Sequence, residues 1–108
     1  MIVCLPVTAD GQIGHSWGRA DRVAVADVGS SGISRWDEFE VGWDQTHDAA
    51  DHDQHHQRIA RFLTDHKVAF VVAGHMGPPM QQMLGEMGIG VRLGASGAAR
   101  SAAISARG

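Results

Sequence analysis

The sequence predicts an α/β domain: a mixed five-stranded sheet with helices packed on it. Three observations lead there. Met1–Val7 (MIVCLPV) and Val68–Ala73 (VAFVVA) are short, nearly unbroken apolar runs, the pattern of strands buried on both faces. Between them lie turn-bounded runs that read as a meander. After Asp44, segments with helical spacing alternate with strands, which implies parallel pairing and a right-handed crossover.

Taken in order, the Met1–Val7 strand ends in Thr8-Ala9-Asp10-Gly11, which is turn chemistry, and Gln12–Arg19 reads as a glycine-broken loop. Arg22–Val28 is the second strand and Gly29-Ser30-Ser31-Gly32 a hairpin connection. Phe39, Val41 and Trp43 alternate with Glu40 and Gly42, which predicts a half-exposed third strand there. Gln45–Asp53 is polar and acidic without a period. From His55 to His66 the apolar residues Ile59, Ala60, Phe62 and Leu63 recur at helical spacing. Gly77-Pro78-Pro79 opens a second helix in which Met80, Met83, Leu84 and Met87 share one face, with Gly88 placed to cap its end. Ile89–Leu93 is the fifth strand. The Ala-, Ser- and Gly-rich tail, Gly94–Gly108, forms a final helix whose only large apolar residue is Ile104.

No repeat or linker divides the 108 residues, so residues 1–108 form a single domain. A formal charge of -3 argues against a broad nucleic-acid surface. No apolar run is long enough for a membrane span, and no signal peptide is apparent, so the expected location is the cytoplasm. With Cys4 as the one cysteine, an intrachain disulfide and a four-cysteine metal site are both excluded. The thiol reads as a small buried hydrophobe.

Histidine is where the chemistry concentrates. His52, His55 and His56 fall within five residues at the entrance to the first helix, and a spacing of three and four brings them together if the helix starts there. Neutral imidazole is the commonest protein ligand for transition metals, so these three are the candidate metal ligands. Asp48, Asp51 and Asp53 are candidate acceptors orienting the rings, or Asp51 or Asp53 is simply the helix N-cap. His75 sits in Gly74-His75-Met76-Gly77, between a strand end and a helix start. That edge of an α/β sheet is where ligands bind, and a helix N-terminus offers N–H groups to anions. Gly74 and Gly77 would let backbone approach a ligand closely. His15 and Arg19 lie in the loop after the first strand, where Trp17 either covers a ligand or anchors its own loop to the core. Met80, Met83 and Met87 have core spacing; Met76 breaks that series. His66 reads as a cation at the end of the first helix. A nucleophile elbow and a phosphate loop are both absent, and the first and fourth strands carry no carboxylates, so the chain is not expected to be an enzyme.

In their order and spacing, these pieces resemble the dinitrogenase iron–molybdenum cofactor biosynthesis family, small domains related to nitrogenase accessory proteins and to the orange-protein type of molybdenum–copper carrier. The resemblance rests on MIVCLPVT, on His15-Ser16-Trp17-Gly18-Arg19-Ala20 before RVAVADV, and on the histidine-bearing segment. Val71–Pro78 and the tail from Met87 through Gly97 extend it over nearly the whole chain. Family members often carry a histidine immediately before the aromatic–Gly–Arg triplet; here Ser16 takes that position and His15 is one residue earlier.

What the resemblance implies is a ribonuclease H-like fold, with one antiparallel strand in the mixed sheet. The implied function is non-catalytic: binding and passing on a metal–sulfur cluster or its precursor, of iron–molybdenum or molybdenum–copper type, among cluster donor and acceptor proteins. The implied ligand face joins His15–Arg19, His52–His56 and Gly74–Gly77, with Arg19 and backbone N–H groups balancing the cluster's charge. Two other readings stay open from the residues: a divalent-metal binder (zinc, copper or nickel) using His52–His56, and a metal-free interaction domain. The thin C-terminal segment leaves room for a homodimer.

Overall fold

A computed structural model describes residues 1–14, 16–43 and 52–107, with only the backbone of His52, Asp53 and Arg107 included. Its strands are β1 (Ile2–Pro6), β2 (Arg22–Gly29), β3 (Gly32–Glu40), β4 (Phe70–Val72) and β5 (Gly90–Arg92). The described helices are α1 (His52–Asp65), between β3 and β4, α2 (Pro78–Glu86), between β4 and β5, and α3 (Ala99–Arg107). The strands form one sheet in the order β3-β2-β1-β4-β5. β2 pairs antiparallel with β1 and β3, while β1, β4 and β5 pair in parallel, so β2 alone opposes the rest.

Strand periodicity sends alternate side chains to opposite faces, and both faces are covered. Cys4, Val23, Val25 and Val71 pack under Ile59 and Leu63 of α1 and Met80 and Leu84 of α2. Val3, Leu5, Ala24, Ala26, Val28 and Val72 pack under Ala99, Ala103 and Ala106 of α3. That double burial explains the unbroken apolar run of β1, the central strand. It also shows how α3 packs without a large side chain. Its alanine stripe lies flat on the sheet, while Ile104 faces outward at 49% exposure.

Both α1 and α2 end in the same hydrogen-bonded reversal. After α2, Ile89 N–H bonds Leu84 O (2.9 Å) and Gly88 N–H bonds Gly85 O (3.1 Å), with Gly88 at φ +76° as the expected capping glycine. After α1, Val68 N–H bonds Leu63 O (3.0 Å) and Lys67 N–H bonds Thr64 O (3.1 Å). There the left-handed position is filled by Lys67 at φ 56°. Because Val68 closes the helix, β4 begins at Phe70, two residues later than the apolar run suggests.

The third strand is displaced from its predicted place. β3 runs from Gly32 to Glu40 and stops before Val41, because the N–H groups of Val41 and Gly42 both turn back to the Asp21 carbonyl (2.9 and 3.1 Å). Trp43 therefore leaves the sheet and packs edge-on against Trp17, ring centroids 5.1 Å apart. The alternation at Phe39, Val41 and Trp43 reflects burial of three side chains by a chain that is only partly strand.

Candidate functional site

The parallel centre of the sheet, β1 beside β4, builds the site at its carboxyl edge. Beyond β1 the chain makes a tight excursion. Val7 bridges Ile13, the Thr8 hydroxyl accepts the Gln12 N–H (3.1 Å), and Gly14 N–H returns to Pro6 O (2.8 Å). A Cβ on Gly14 would lie 3.1 Å from the Pro6 Cβ, tighter than ordinary contact, so a side chain here would push the return away by a few tenths of an ångström. Ser16 then pairs in parallel with His75 beyond β4, and Trp17 N–H bonds His75 O (3.0 Å). Two loops whose paired residues lie 59 apart in sequence (75 − 16) are thereby joined into one wall by backbone pairing.

Trp17 is fully buried, so it anchors the loop rather than covering a ligand. Among the described residues its indole Nε1 has no hydrogen-bond partner. Gly18 and Arg19 form the turn that follows, closed by Ala20 N–H to Trp17 O (3.2 Å). From α1, His55 reaches across the loop. Its Nε2 lies 2.9 Å from Gly18 O, and the residue is only 3% exposed.

Ser16, Trp17, Gly18, Arg19, His75, Met76 and Gly77 line a cleft of about 350 Å³, within the range of small-molecule sites. None of these seven carries a carboxylate, and Arg19 supplies the formal positive charge. A second cleft of about 490 Å³ lies along Pro6–Ala9 and Ala20–Arg22 and shares Ser16 and Arg19 with the first. Arg22 in that cleft pairs with Glu38 and Glu40 (3.2 and 3.1 Å), and Arg19 lines both spaces.

Gly77 is the N-cap of α2 at φ −67° and ψ 151°, a conformation open to any residue, and an added Cβ would meet only Pro79 Cδ at 3.9 Å. Neither backbone strain nor packing requires glycine there. Its bare Cα leaves the cleft floor open. The N–H supply of this helix end is smaller than expected, because Pro78 and Pro79 carry no N–H. Of the first three helical positions only Met80 keeps a donor. Met76 is buried in the core, and its carbonyl accepts the Gln81 side-chain N–H (2.8 Å), which holds the turn into α2.

The predicted site residues thus divide into groups. Arg19, Gly77 and the exposed His75 line the cleft, and Gly74, half-buried, sits beside it where its carbonyl accepts the Gly94 N–H (3.0 Å). α1 begins at His52, so His52, His55 and His56 do fall within the helix, at i, i+3 and i+4. His55 turns inward to the loop, and the half-buried ring of His56 lies 6.0 Å from it, centroid to centroid. His15, Asp48 and Asp51 lie outside the described residues, as do the side chains of His52 and Asp53. Among the described residues no three His, Cys, Asp or Glu side chains are grouped to hold a metal ion. Cys4 is sealed in the core, where burial pushes its thiol far above the ordinary range and keeps it protonated. His66 caps α1 by donating from Nδ1 to Phe62 O (2.9 Å) while its ring lies against Phe62, centroids 4.2 Å apart.

The partnership of His55 with Gly18 is the site feature that sequence reasoning missed, and it had a signal. His55 stands four residues before Ile59 and eight before Leu63, on the core stripe of α1. A histidine continuing a core stripe is buried, and a buried imidazole needs a polar partner.

The chain is an α/β domain whose mixed sheet has one opposed strand and whose described cleft lies at the carboxyl edge of the parallel centre. The sequence matches the dinitrogenase iron–molybdenum cofactor family over residues 1–106, and the chain belongs to that family. The family implies a part in the biosynthesis or handling of that cofactor. A solved structure described as the crystal structure of PH0822 is similar in fold, with a TM-score of 0.76 at 19% identity, covering 99% of this chain and 89% of that one. No curated relative matches the sequence. No described helix is long and apolar enough to cross a membrane.

Proposed function

We propose that this domain is a non-catalytic carrier that binds a metal–sulfur cluster, or a precursor of one, of the iron–molybdenum cofactor type in the cleft between Ser16–Arg19 and His75–Gly77. The cargo is taken from a donor protein and released to an acceptor in the cytoplasm. The observation that carries the reading is the composition of the cleft's described lining: Arg19 and no carboxylate among those residues, beside a glycine that neither φ nor packing against them demands. Sulfide-rich clusters are anionic and bulky, and such a space receives them at low desolvation cost. The exposed His75 offers an imidazole to the cluster's metal, and Arg19 balances charge. The strand order with β2 alone antiparallel supports the ribonuclease H-like arrangement that goes with this family resemblance.

The test is anaerobic titration of the protein with isolated iron–molybdenum cofactor, followed by visible absorption and metal analysis. One cofactor per chain is expected, weakened at least tenfold by Arg19→Ala, by His75→Ala and by Gly77→Val. The Gly77→Val variant should melt within a few degrees of the parent, because a side chain there meets almost nothing but the cleft. Failure of stoichiometric binding, or binding indifferent to all three changes, would sink the proposal. Zinc, copper and nickel titrations run in parallel show whether a plain ion is held instead.

A further inference from the structure

We propose that His55 is the positioning residue of the cleft loop, holding the Gly18 carbonyl through its Nε2–H, and is not a ligand to the metal. This rests on the carrier reading above and assigns a different task to one of the three histidines at the helix entrance.

The argument starts from hydrogen bookkeeping. A backbone carbonyl can only accept, so a ring nitrogen 2.9 Å from Gly18 O carries the hydrogen of that bond. A protonated ring nitrogen has no lone pair to give a metal. Among the described residues His55 is the only buried polar or charged side chain, and at 3% exposure an ion reaches its other nitrogen only by displacing what covers it. The ring is also fixed from behind, because His55 continues the stripe of Ile59 and Leu63 that docks α1 on the sheet.

The bond matters because of what it holds. Among the described residues the turn carrying Arg19 is tied at Trp17, at Gly18 and at Ala20, whose carbonyl also accepts the Trp43 N–H (2.9 Å). Trp17 N–H is tied to His75 O at the end of β4, and Ala20 N–H closes the turn on Trp17 O. The tie at Gly18 is His55, 37 residues away in sequence, on the carbonyl immediately preceding Arg19. With that tie gone, the Gly18 peptide plane can rotate, and the Arg19 side chain leaves its place between the two clefts. His55 then acts on cargo through Arg19, from one residue's distance.

A metal-bound histidine also commonly donates its second N–H to a carbonyl, so the rival role is ligation through Nδ1. Nitrogen-detected NMR of the imidazoles separates the two without any cluster. The expected spectrum shows His55 protonated at Nε2 with slow solvent exchange, unchanged when zinc is added. A zinc-induced shift of its Nδ1 resonance, or an unprotonated Nε2, overturns the proposal. Three variants carry the same question to the cofactor titration. His55→Gln, which keeps an N–H within reach of Gly18, should bind within about threefold of the parent. His55→Phe should lose about tenfold, the factor carried by one hydrogen bond of ordinary net strength. In an Arg19→Ala background the His55→Phe loss should vanish. Equal losses for Gln and Phe, or an undiminished loss without Arg19, overturn it. If the parent protein binds no cofactor, the carrier reading fails, while the NMR result still decides the role of His55.

Discussion

Gly90→Ala gives a sharp test of the packing that supports the site. Gly90 opens β5 and pairs in parallel register with Phe70 of β4. It has no unusual φ, so alanine is free to adopt its backbone; the obstacle is steric. A Cβ built there would lie 2.5 Å from Phe70 Cδ2 and 2.6 Å from Cε2, against an ordinary contact of about 3.5–4.0 Å. The ring must therefore withdraw by about 1 Å, and it is packed against the Val3–Val72 cluster that seats α3. Overpacking of this kind costs typically about 1–3 kcal/mol. For a domain of this size each kcal/mol lowers the melting temperature by roughly 4–8 °C, so a drop of about 4–24 °C is expected. Thermal unfolding followed by circular dichroism reads it directly. The double variant Phe70→Leu/Gly90→Ala should recover part of the loss, because a flexible aliphatic chain yields where a ring does not; the cycle should show a coupling of about 1 kcal/mol. A Gly90→Ala protein as stable as the parent, or a double variant whose losses simply add, would refute the reasoning.

Two further outcomes follow from the helix end and the buried thiol. Lys67→Gly should stabilise the domain by about 0.5–1 kcal/mol, because a left-handed non-glycine residue costs about 1–2 kcal/mol and glycine's greater unfolded-state freedom returns part of that; chemical denaturation with an unchanged slope would verify it, and no gain would show the position unstrained. Cys4 should resist alkylation in the native state at pH 8 and react only as fast as the protein unfolds; since burial raises its folded pKa above the ordinary thiol value of 9.0, its contribution to stability is complete below about pH 9 and falls as pH rises past it. Rapid native labelling, or a stability that climbs through that pH window, would contradict the burial.

The architecture was largely legible because its signals are local. An apolar run too continuous for a one-faced strand placed β1 and β4 in the middle of a sheet, and Pro78-Pro79 with Gly88 bracketed α2. The misreadings come from residues whose pattern serves packing instead of secondary structure. Trp43 keeps the alternation of a strand yet leaves the sheet to meet Trp17, because the Asp21 carbonyl draws the chain aside at Val41 and Gly42. α3 uses alanines, which carry little hydrophobic signal, and leaves Ile104 outside.

For the site, composition and spacing alone determined which residues had chemistry to offer: histidines at a helix entrance, an arginine among glycines, a turn at the carboxyl end of a strand. The tertiary structure decided which of them meet. Ser16 and His75 are joined by main-chain hydrogen bonds that any residue types can make, so no side-chain pattern announces the pairing. The prolines that begin α2 predict the helix start and at the same time remove two of the donors that the start would have offered. His55 belongs by type to the trio of candidate metal ligands and by helical phase to the core. Only the fold sets Gly18 O within 2.9 Å of its ring. Residue type is a property of the chain, whereas the partner of a buried polar group is a property of the space around it.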